Sequence, residues 1–90
     1  MPGSTEPTGE EIGEIAAFFA APSAAIVELR TGSLKIGDKI WIRGHTTDLT
    51  QTIDSMQIER QPVSEAQAGQ QVAIRVSSKC RRNDRVYKIL

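Results

Sequence analysis

Apolar residues along this chain mostly recur at every second position, in short runs separated by turn-forming residues. "AAIVELR" (24–30) is a short apolar strand, and "KIWIR" sets Ile40 and Ile42 on one face against Lys39, Trp41 and Arg43 on the other. "QVAIRV" puts Val72, Ile74 and Val76 on one face, and "RVYKIL" reads as a final strand. "LTQTIDSMQIER" (49–60) reads as one long strand with a change of parity, because Leu49 and Ile53 are odd-numbered and Met56 and Ile58 even-numbered. One face keeps all four only if a residue is inserted, so a β-bulge is expected near Asp54 and Ser55. "EIGEIAAFFAA" (11–21) differs: Ile12, Ile15 and Phe19 fit a helical face and alanine favours helix, although Pro22-Ser23 and the β-rich sequence beyond also allow a strand. Periodicity alone leans to helix there. "GHTTD" is a turn, "QPVSEAQAG" a loop with one helical turn capped by Ser64, and "SSKCRRND" a polar connector. Short strands between frequent turns predict a small closed β-barrel, since closure removes sheet edges that a chain of 90 residues could hardly cover.

Length and composition narrow this picture. Ninety residues make one domain, with no second lobe to close over a substrate. Residues 1–11 are polar and acidic and form an expected flexible tail; the barrel is expected over 12–90. Residues 1–14 carry Glu6, Glu10, Glu11 and Glu14 and no Lys or Arg, so the net charge of zero conceals an excess of positive charge in the remainder. Lys79, Arg81, Arg82 and Arg85 gather that excess in "KCRRNDR". The single cysteine, Cys80, cannot form an internal disulfide and suits a reducing, cytoplasmic compartment. No basic-then-apolar leader is evident, and the run "IAAFFAAPSAAIV" is too short for a bilayer and holds Pro22, so no membrane association is expected.

Candidate chemistry is sparse. "TGSLKIGDKIW" approaches a phosphate-binding loop through Gly32 and Gly37, but Asp38 occupies the lysine position and Ile40 follows Lys39. The next segment is a strand rather than a helix, so the stretch is read as a turn and no nucleotide cofactor is expected. His45 and Cys80 are the only His and Cys and lie far apart, which excludes a metal site of ordinary spacing; His45 is expected as an exposed turn residue. Cationic neighbours could lower the Cys80 pKa, yet no base or orienting group accompanies it. Trp41 either caps one barrel end or belongs to an exposed partner-binding patch.

The order and spacing of "GSLKIGDKIWIRG", "SMQIERQPVSEAQAGQQVAIRV" and "NDRVYKI" resemble the second domain of elongation factor Tu and related translational GTPases, from about Ile12 to the C-terminus. The resemblance implies a six-stranded antiparallel Greek-key barrel and turns residues 12–19 from helix to strand. The chain then looks like the free-standing elongation-factor-like barrel of some prokaryotes; similar barrels are also appended to larger proteins, including collagenase-like peptidases. At the family's aminoacyl-tRNA pocket the matching positions are Ala20-Ala21-Pro22-Ser23, Gln57 and Gln71, three departures that argue against that ligand. The resulting expectation is a non-enzymatic, translation-associated module without cofactor or metal. It would contact rRNA, tRNA, the ribosome or a translation factor through Lys79, Arg81, Arg82, Arg85, Arg60 and Trp41. The alternative is a protein-interaction barrel, accessory to a separately encoded enzyme and without nucleic-acid binding.

Overall fold

A computed structural model describes residues 9–21 and 23–89. The strands are β1 Gly9–Ala20, β2 Ser23–Leu29, β3 Ser33–Lys35, β4 Lys39–Arg43, β5 Asp48–Thr52, β6 Met56–Ile58, β7 Gln61–Pro62, β8 Glu65–Gln67, β9 Gln71–Arg75 and β10 Arg85–Ile89. Eight form one antiparallel sheet in the order β5-β4-β10-β1-β2-β9-β6-β7, and β3 and β8 form a separate two-stranded ribbon. The all-β, antiparallel expectation holds.

The expected six-stranded closed barrel does not. The backbone ladder has free ends at β5 and β7, and the place of a closing ladder is taken by one side chain. The Gln51 carboxamide, on β5, donates to the Arg75 carbonyl at 2.8 Å and accepts from the Ser77 amide at 2.8 Å, at the end of β9. Two very short strands, β6 and β7, add a hairpin that apolar patterning does not reveal. Its two-residue loop, Glu59-Arg60, has φ of 51° and 67°, the left-handed geometry that matches the twist of a tight hairpin.

Residues 12–19 are strand, as the family resemblance implied, and the helical lean is corrected. The cause is visible in the register. β1 runs past both β10 and β2, with a shift between Glu11 and Gly13 on the first side and between Ile15 and Ala17 on the second. The first of these shifts makes Ile12 the extra residue, so that it is buried with Ile15 despite their three-residue spacing. Gly13 lies at the first bulge, where a Cβ would overlap the Glu28 carbonyl. In 49–60 the parity change is real but its expected form is not. The strand stops at Thr52 and resumes at Met56, and Ile53, between the two, keeps its backbone bonded to Asp38 and Gly37. The helical turn expected at Ser64 is replaced by β8, whose Ala66 pairs with Leu34 of β3. Both side chains are fully buried, so the ribbon covers the core formed by Ile12, Ile15, Val27, Ile40, Ile42, Val72, Ile74 and Val86.

"TGSLKIGDKIW" is the expected strand–turn–strand corner. Gly37 has φ 98°, the Asp38 carboxylate accepts from the Lys35 amide at 2.9 Å, and Lys88 Nζ lies 3.3 Å from the same carboxylate. β1 begins at Gly9, so Gly9, Glu10 and Glu11 are strand; residues 1–8, the rest of the expected tail, lie outside the described residues.

Candidate functional site

Two turns meet beside the β4–β10 pair. The first, residues 44–47, is closed by the Gly44 amide donating to the Thr47 carbonyl at 2.9 Å, with Thr47 buried beneath. The second spans 81–84. Its Asp84 amide donates to the Arg81 carbonyl at 3.1 Å, and the Asp84 carboxylate accepts from the Arg81 amide at 2.7 Å. Asn83, with φ 77°, directs its amide to the Ile15 carbonyl at 2.7 Å, and Ile15 returns a bond to the Asp84 carbonyl at 2.7 Å. The bulged part of β1 therefore holds this turn from behind.

The connector that looked uniformly polar contains two buried residues, Cys80 at 1% and Asp84 at 5% exposure. Asp84 also links the two turns. Its carboxylate lies against Gly44 so closely that a Cβ at position 44 would overlap it. Between the turns is an open concavity of about 530 Å³ lined by Arg43, His45, Arg81, Arg82, Arg85 and Tyr87, with Gly44 and Asp84 at its base.

Its electrostatics are positive. Arg43 and Arg85 stand directly opposite each other in the β4–β10 ladder, a placement that like charges disfavour. Arg85 donates to the Glu11 carboxylate at 2.7 Å, and this bond, with the Glu11 charge, holds its pKa above the ordinary value. The Arg43 guanidinium lies 5.2 Å above the Trp41 ring. Arg81 and Arg82 are exposed, and among the described residues neither makes an ion pair.

The residues named from sequence separate accordingly. Arg81, Arg82 and Arg85 come together in the concavity. Lys79 is exposed on the same connector but outside the lining, and Arg60 is in the β6–β7 hairpin turn at the other edge of the sheet. Trp41 is 6% exposed: its ring packs 5.1 Å from Tyr87 and its Nε1 donates to the Asp48 carboxylate at 2.7 Å. It is buried and presents no patch. Arg43 and His45 were missed as site residues because only the β4–β10 register and the adjoining turn bring them beside residues some 40 positions away, and Tyr87, close to the basic run in sequence, was missed because nothing in that run marks an aromatic as lining. His45 is exposed in its turn, as expected.

Cys80 does not have the lowered pKa that its cationic neighbours could give. Burial, aided by the negative charge of Asp84, pushes its thiol from 9.0 up to about 11, so its cationic sequence neighbours do not activate it. Among the described residues no three His, Cys, Asp or Glu side chains gather as metal ligands, and no helix is long and apolar enough to cross a membrane.

Over 78 residues, 86% of its length, the chain is 35% identical to a collagenase of Porphyromonas gingivalis, and equally so to the collagenase of P. gingivalis strain ATCC BAA-308 / W83. The relatives are collagenases. The chain spans about a fifth of their length, 22% and 19% respectively. Its fold matches the C-terminal domain of a Geobacillus thermoleovorans protein described as a U32 peptidase, with a TM-score of 0.82 over 97% of this chain and 100% of that domain, at 21% identity. The selenomethionine variant of the same domain superposes with a TM-score of 0.81 over 88% of this chain and 99% of that domain, also at 21% identity. No protein-family model matches the chain.

These findings correct the elongation-factor reading and, with it, the expected translational, RNA-contacting role. The kinship in sequence is with collagenases, and the fold is that of a peptidase C-terminal domain. The motifs behind the resemblance, such as the Gly37-Asp38 corner, specify turns of a fold and no ligand.

Proposed function

We propose that this chain is a non-catalytic accessory domain of a U32-type peptidase, an interaction module for an enzyme whose reacting groups lie outside these 90 residues. The observation that carries the proposal is the 35% identity to collagenases of which the chain spans only 22%. The chemistry of the chain agrees with an accessory role. Its one thiol is buried and hard to ionise, and its one histidine stands in an exposed turn. A rigid, charged concavity on a small sheet suits the holding of a partner surface. The cytoplasmic placement suggested by a lone thiol belongs to the same proposal.

The test is to titrate the purified chain into the source organism's own U32-type peptidase, and to follow peptide hydrolysis by each alone and by the mixture. The expected result is association with a Kd of about 10 μM or tighter, no hydrolysis by the chain alone, and an altered rate in the mixture. Hydrolysis by the chain alone, or no association up to about 100 μM, would contradict it.

A further inference from the structure

We propose that the concavity between the 44–47 and 81–84 turns is a carboxylate-binding site for an acidic, extended segment of a partner polypeptide, with Arg81 and Arg82 as its principal contacts. The inference deepens the accessory reading and rests on it for the partner's identity; the ligand chemistry follows from the site itself.

Positive charge is concentrated here by the fold. Arg43 and Arg85 face each other across one ladder position, and Arg81 and Arg82 join them from the neighbouring turn. Exposed Arg81 and Arg82 at the mouth of this cluster give an incoming anion two guanidinium groups to meet. The chain already shows which anion fits: the Glu11 carboxylate meets the Arg85 guanidinium at 2.7 Å on the rim. Guanidinium groups bind carboxylates through paired, directed N–H bonds, and Arg81 and Arg82 offer that geometry without an ion pair among the described residues.

The site is also built before any ligand arrives. Buried Asp84 fixes the Arg81 amide and abuts Gly44, buried Cys80 anchors the start of the turn, and Ile15 bonds the backbone of residues 83 and 84. Arginines on a fixed frame lose less freedom on binding than arginines on a loose loop.

An acidic polypeptide suits the surroundings better than a nucleic acid. A single-stranded nucleic acid needs faces on which bases stack. Trp41 is buried, and the Tyr87 ring is engaged with it at 5.1 Å. A space of about 530 Å³ accommodates a few side chains.

The experiment uses the full chain with a fluorescent octaglutamate peptide, an octaglutamine peptide of equal length, and an oligonucleotide of eight phosphates, at about 50 mM salt. Anisotropy is expected to show octaglutamate binding that octaglutamine does not match. R81E/R82E should weaken it about tenfold or more, while R60E leaves it unchanged. Both variants are checked by thermal melting, and amide chemical shifts of the unaltered chain supply a readout that needs no variant. Peptide-induced shifts are expected at residues 43–46 and 81–87. Shifts confined elsewhere, equal binding of octaglutamine, or insensitivity to R81E/R82E would overturn the proposal. So would displacement of the peptide by an oligonucleotide that binds about tenfold more tightly. Octaglutamate binding at this site by a chain that ignores the peptidase supports the site and removes the accessory reading. Peptidase association without octaglutamate binding overturns the site and leaves that reading standing.

Discussion

Gly44→Ala tests the junction on which the concavity depends. A Cβ at this position overlaps the Asp84 carboxylate, and Asp84 is 5% exposed, with little room to retreat. To make room the carboxylate must leave the Arg81 amide, a charge-assisted bond of 2.7 Å whose loss costs about 1.5–3 kcal/mol. A strained side-chain rotamer adds about 0.5–1.5 kcal/mol. The sum is about 2–4 kcal/mol, which in a domain of this size lowers Tm by about 8–30 °C. Asp84→Ala alone strands the Arg81 amide and costs about 1–3 kcal/mol. Once the carboxylate is gone, the added methyl meets open space, so Gly44→Ala in the D84A background should cost no more than about 0.5 kcal/mol. The double-mutant cycle then gives a coupling of about 1.5–4 kcal/mol. Urea unfolding followed by Trp41 fluorescence measures all four corners. A G44A penalty below about 0.5 kcal/mol in the parent, or one undiminished in D84A, would refute the account of this junction.

Three further outcomes follow from other features. The Cys80 thiol titrates near 11 when folded against 9.0 ordinarily, so between those values the unfolded chain ionises while the folded chain keeps its proton. Stability therefore falls as pH rises through that window, by up to roughly 2–3 kcal/mol. Cys80→Val removes this part of the pH dependence, and parallel urea midpoints for parent and C80V from pH 8 to about 10.5 would contradict it. In the β6–β7 turn, φ of 51° and 67° at Glu59 and Arg60 favours Asn-Gly, so E59N/R60G should raise stability by about 1 kcal/mol; an unchanged or lower urea midpoint counts against this. Gln51→Ala removes the three bonds its side chain makes across the seam between β5 and the end of β9, costing about 1–2 kcal/mol and speeding exchange of the Ser77 amide, whose undisturbed protection would show that the seam is held otherwise.

Much of the sheet was legible from alternation alone. Ile40 and Ile42, and Val72, Ile74 and Val76, are buried as their spacing predicts. The failures share a cause. Ile12 and Ile15 sit three apart, a helical interval, because the bulge at Ile12 changes the parity of β1; Leu49 and Met56 differ in parity because the strand breaks between them. An intensity of apolar residues cannot distinguish a bulge, a break and a helix when only the spacing is visible. Closure was misjudged for a related reason: the link between β5 and β9 is a side-chain amide, which leaves no trace in hydrophobic pattern. At the site, the basic run 79–85 was conspicuous, but its division was not. Arg81 and Arg82 enter the concavity and Lys79 does not, because a turn pinned by buried Asp84 decides their directions. Arg43 became visible only through the β4–β10 register. The motifs that suggested a translation factor describe corners and strand ends, which unrelated functions share on one fold.

The most direct test of the account is a calorimetric titration of the parent chain and of R81E/R82E into the source organism's U32-type peptidase, both chains first shown to be folded. The account predicts saturable binding by the parent and binding about tenfold weaker or more by the variant, with a steeper salt dependence for the parent. Absence of binding by the folded parent, or equal affinity of parent and variant, would contradict it.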